Sequence, residues 1–170
     1  MPIPAPSRSV AVHRIHPAAI GVAMFVALLL QSYLPVKLPL ARLMDLPLLV
    51  TVYFATLRRQ KMFGIALGTG MGLAQDLLAH DPVGMFGMAK AVVGYLAAGS
   101  SFKFNLEQTG TRFALVGVFV LAHNLFYFLL QQILPSPPQF QPLDLATSVL
   151  VNVALALPIF LLLDHVRRPA

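Results

Sequence analysis

The chain has 170 residues, of which 58% are hydrophobic and only 11% charged, and its mean hydropathy is +0.78. A soluble domain covers its surface with roughly 25% charged residues, so an ordinary soluble enzyme and a disordered chain are both excluded. What remains is a polytopic membrane protein; the absence of cysteine excludes disulfides and thiolate sites, and the formal charge of +6 lies beside apolar runs, where it meets anionic lipid rather than nucleic acid.

Residues 1–16 are proline-rich and weakly basic and are expected to form a cytoplasmic tail. Residues 17–166 are expected to form a single transmembrane domain, with 167–170 as a cytoplasmic C-terminus. The first apolar run covers about 18–34. No small-x-small cleavage site follows it, so a retained span is expected rather than a signal peptide. The second run, about 43–57, is short: its 15 residues reach about 22 Å against a core of ~30 Å. It must borrow flanking residues, thin the bilayer or start within protein. A basic turn, Arg58, Arg59 and Lys61, leads into a glycine-rich third run at about 62–79. His80-Asp81-Pro82 breaks it, and a fourth run covers about 83–101. The fifth, about 113–134, is long and aromatic. An uncharged proline-rich loop precedes the sixth, about 143–163.

The fold expected is therefore all-α, with six transmembrane helices. Lysine and arginine fix the orientation. With the N-terminus inside, the cytoplasmic segments hold nine basic residues (Arg8, Arg14, Arg58, Arg59, Lys61, Lys103, Arg112, Arg167, Arg168) and the outer loops hold two, Lys37 and Arg42. Both termini are expected in the cytoplasm.

Two small-residue stripes mark helix-packing or partner faces. Gly64, Gly68 and Gly72 recur every four residues in the third run, with Asp76 four further on; Gly87, Ala91, Gly94 and Ala98 do the same in the fourth, just after Gly84. Such stripes let helix backbones approach closely in lipid. An ionised Asp within the bilayer is costly. Asp76 and Lys90 lie at similar depths below the outer surface, so they are expected to pair with each other or to meet backbone carbonyls. His123, Asn124 and Asn152 fall midway along the fifth and sixth runs and need interhelical partners, or else line a polar cavity for a small ligand. No serine elbow, phosphate loop or histidine–carboxylate metal spacing is present. No enzymatic activity, cofactor or metal is expected.

The stretch RRQKMFGIALGTGMGLAQDLLAHDPVGMFGMAKAVVGYL, residues 58–96, resembles the bacterial rod shape-determining protein family MreD. The resemblance rests on Arg58-Arg59, Gly68, Gly72-Leu73, Asp76, Leu78, Pro82-Val83-Gly84 and Tyr95-Leu96, and on Asp45-Leu46-Pro47 upstream; Val83 stands where the family usually has Leu. It implies a non-catalytic inner-membrane scaffold of the cell-elongation machinery that supports lateral peptidoglycan synthesis. The partners implied are an MreC-type protein directly and MreB, RodA and a class B penicillin-binding protein indirectly. It also implies a fold like the S-components of energy-coupling-factor transporters. The alternative function is accordingly an S-component-like carrier of a small molecule.

Overall fold

The computed structural model describes residues 17–79, 82–102, 104 and 108–165. The tail 1–16, the His80-Asp81 break, Lys103 and the C-terminal Arg167-Arg168 pair lie outside the described residues. Six α-helices follow in order: α1 Pro17–Lys37, α2 Leu46–Arg58, α3 Lys61–Ala79, α4 Met85–Ser100, α5 Thr109–Gln131 and α6 Pro142–His165. A 3-10 turn, Pro39–Leu43, connects α1 to α2. There are no strands among the described residues.

Among the described residues, five segments are long and apolar enough to cross a membrane. The second of these joins the 3-10 turn to α2 over Pro39–Arg58, 20 residues, which resolves the shortness of that run. Most of α2 lies within protein: residues 46–55 are all buried. A helix apolar on every side is stable only when other helices surround it, and α2 packs against α1, α3, α4, α5 and α6. Asp45 caps its start by accepting the Leu48 N–H at 2.9 Å, and Pro47 sits in the first turn, where a missing N–H costs nothing. Arg59 ends it in the left-handed conformation at φ 55°, its N–H on the Ala55 carbonyl at 3.1 Å.

At 16 residues α4 is the shortest of the outer helices, about 24 Å at ~1.5 Å per residue. It is not among the five long apolar segments. Its partner is α3, and these two form the most extensive helix pair. By contrast α1 lies loosely on the bundle, with Val22, Phe25, Leu29 and Tyr33 exposed.

Candidate functional site

The link between the 3-10 turn and α2 carries main-chain groups that no helix satisfies, and buried groups of this kind need hydrogen-bond partners. Polar side chains from α1 and α6 take them instead. Gln31 of α1 donates from Nε2 to the Met44 carbonyl and accepts the Leu46 N–H at Oε1, both at 3.0 Å. Asn152 of α6 accepts the Asp45 N–H at 2.8 Å through Oδ1 and donates from Nδ2 to the Leu43 carbonyl at 2.8 Å. Ser148, one turn earlier, donates to the same carbonyl at 3.0 Å and accepts from Asn124 Nδ2 of α5 at 3.0 Å.

A buried charge cluster sits beside this link. Lys90 of α4 is 0% exposed, and its Nζ lies 2.6 Å from Asp45 Oδ2. The ammonium is also 3.4 Å from His123 Nε2 and 4.5 Å above the Phe86 ring. Lysine can only donate, so in this contact Nε2 is the accepting atom. The His123 ring runs parallel to those of Phe86 and Tyr127, with centroids 5.9 and 6.2 Å away. Lys90 thus meets an anion, a lone pair and a π face, three partners that together compensate a buried ammonium. Asp45 ties this cation to the α2 N-terminus, where a negative charge is favoured by the helix dipole.

Asp76 does something different. It is 0% exposed and accepts three main-chain N–H groups at the start of α4: Gly84 at 2.8 Å, Phe86 at 3.1 Å and Gly87 at 3.3 Å. Gly84, at φ 103°, begins α4 without a side chain of its own to cap it; Asp76 supplies the capping anion from the neighbouring helix. The expected Asp76–Lys90 ion pair is therefore corrected, and so is the expectation that these residues meet carbonyls. Depth along a span gives height but not direction. Asp76 points at the first turn of α4, while Lys90 points from α4 towards α2 and α5.

The glycine stripes meet each other. A Cβ added at Gly64 would overlap the Gly94 carbonyl, and the reverse holds for Gly94; at Gly68 it would overlap the Lys90 carbonyl, and at Gly72 the Phe86–Gly87 peptide. Gly87 is more forgiving, with the Leu73 side chain 3.2 Å from such a Cβ. The seam is internal, between α3 and α4. Of the expected polar residues, His123 joins Lys90, while Asn124 and Asn152 join the α2 link.

Several participants carry no mark in the sequence reading. Asp45 is visible only as a helix start, two residues into a short apolar run; its equal depth with Lys90 was the available signal. Gln31 and Ser148 look like ordinary polar interruptions. At the opposite end of the bundle Asp164 binds Arg112 at 3.0 Å and accepts from the Tyr53 hydroxyl at 2.7 Å, joining α6, α5 and α2.

The Lys90–Asp45 pair, the Asp76 bonds to α4 and the Asn152 and Ser148 bonds to the α2 link each fasten one helix to another. A family model described as rod shape-determining protein MreD matches residues 13–166. Comparisons with curated proteins and with solved structures give no match. With a match over nearly the whole chain, this membrane protein belongs to the MreD family of rod shape-determining proteins and takes part in rod-shape determination in association with that machinery.

Proposed function

We propose that the chain is a non-catalytic scaffold in the bacterial inner membrane, with both termini in the cytoplasm, that binds an MreC-type protein and through it supports lateral peptidoglycan synthesis by MreB, RodA and a class B penicillin-binding protein. Family membership supports the setting. The observation that carries the scaffold reading is the commitment of the buried polar groups to helix-helix contacts: Asp45, Lys90, His123 and Asn152 hold α2, α4, α5 and α6 in one arrangement. A scaffold needs such a fixed shape to present a constant surface.

The glycine seam is filled by α4, so partner recognition runs through the outward helix faces and the connecting loops. The S-component-like carrier reading would need the same midplane groups to face a ligand, whereas Asn124 and Asn152 are spent on Ser148 and the Leu43 carbonyl. The test is capture in mild detergent from cells producing this chain with an MreC-type partner. A stoichiometric complex and no bound small molecule is the expected result. A stoichiometric vitamin-like ligand without partner capture would replace the scaffold by a carrier.

A further inference from the structure

Helices α1 and α6 both lean on α2 but do not pack against each other. Between them runs an apolar groove of about 520 Å³, floored by Leu46, Val50 and Phe54 and walled by Ala23 of α1 and Leu162 of α6. It extends along α1 from Ala18 to Leu30, about 18 Å at ~1.5 Å per residue. That is close to the depth of one leaflet, half of a ~30 Å core.

A basic pair follows the groove floor at the C-terminal end of α2. Arg58 follows Phe54 by one turn of α2, is exposed, and has its guanidinium 4.5 Å from the Phe63 ring, with Arg59 exposed beside it. Neither has a carboxylate partner among the described residues. We propose that this groove holds one acyl chain of an anionic phospholipid from the leaflet on the Arg58 side, with the lipid phosphate on Arg58. The charge sign and the one-leaflet length select this occupant. The lipid fills the groove between α1 and α6 and so fixes α1, the least buried of the long apolar helices.

Protein purified from native membranes in mild detergent tests this by mass spectrometry of retained lipid. Wild type should keep about one phosphatidylglycerol-class lipid per chain, enriched over its share of the membrane. Ala23→Phe should reduce retention roughly tenfold, the loss expected when about two methylenes are kept out of the groove. Gly21→Phe is the control, because Gly21 faces open space; it should retain lipid like wild type. Arg58→Gln should keep lipid but lose the preference for anionic over zwitterionic headgroups. Should Ala23→Phe prove poorly folded, the melting temperature decides the point: phosphatidylglycerol vesicles should raise it more than phosphatidylcholine vesicles do in wild type, with no such difference in Arg58→Gln. The proposal fails if wild type retains no lipid above the bulk proportion, if Ala23→Phe and Gly21→Phe retain it equally, or if removing residues 2–16 is required before lipid binds.

Discussion

Lys90 and Asp45 form an ion pair in a place where either charge alone has no water to turn to. Breaking such a pair from one side leaves the other charge uncompensated, at ~3–5 kcal/mol, whereas replacing both by neutral groups of similar shape is far less costly. Lys90→Met alone is therefore expected to lower unfolding stability in detergent by about that amount. Asp45→Asn should do the same while keeping the α2 cap, since Asn also accepts at the N-terminus. The double variant should regain at least half of the loss. Additive losses in the double variant would show that the two side chains act separately. Asp76 answers to a different test: Asp76→Asn weakens charge-assisted bonds of ~1.5–3 kcal/mol to the α4 amides. Exchanging the charges of Asp76 and Lys90 should restore nothing, because neither residue is the other's partner. Recovery of accumulation to wild-type level in that exchange would reinstate the direct pair.

Among elements, the α3–α4 pair is built on carbonyl-to-glycine contact, and the three glycines of α3 that face it differ sharply from the one that does not. Gly68→Leu and Gly72→Leu place side chains into α4 backbone, which has no flexible atom to yield. Both are expected to abolish stable accumulation, well beyond the 1–3 kcal/mol of ordinary overpacking. Gly70 faces open space in the same helix, and Gly70→Leu should accumulate normally; membrane-fraction immunoblots of the three variants make the comparison. This is also where sequence reading reached its limit. The four-residue spacing of Gly64, Gly68 and Gly72 was enough to mark a face, since helix geometry alone puts those positions near one side. The same spacing did not say whether the face met α4 or another protein, because close approach looks the same in either case. The helix ends lie within a few residues of the apolar runs, with α5 starting a turn earlier at Thr109. The partners of Lys90, Asp76 and Asn152 were not legible. They depend on how elements 8 to 109 residues apart in sequence are rotated about their axes, which no one-dimensional pattern encodes.

For the molecule as a whole, the open question is which way the bundle sits in its membrane. Two ends are chemically distinct. One carries Arg58, Arg59, Lys61 and the Arg112–Asp164–Tyr53 contact; the other carries the 3-10 turn, the α3–α4 turn and the proline-rich α5–α6 loop with only Lys37 and Arg42 nearby. Basic residues in short loops stay on the cytoplasmic side because moving them outward opposes the membrane potential, at ~2.3 kcal/mol per charge per 100 mV. The Arg58 end is accordingly expected inside. Because the chain has no cysteine, single substitutions report this without background. Ser136→Cys, in the α5–α6 loop, should react with a membrane-impermeant maleimide in intact spheroplasts. Gln60→Cys, in the α2–α3 turn, should react only after the membrane is opened. If Gln60→Cys labels first, the bundle is inverted. The lipid assigned to Arg58 then belongs to the outer leaflet, and the scaffold would present its 3-10 turn, not its basic end, to the cytoplasm.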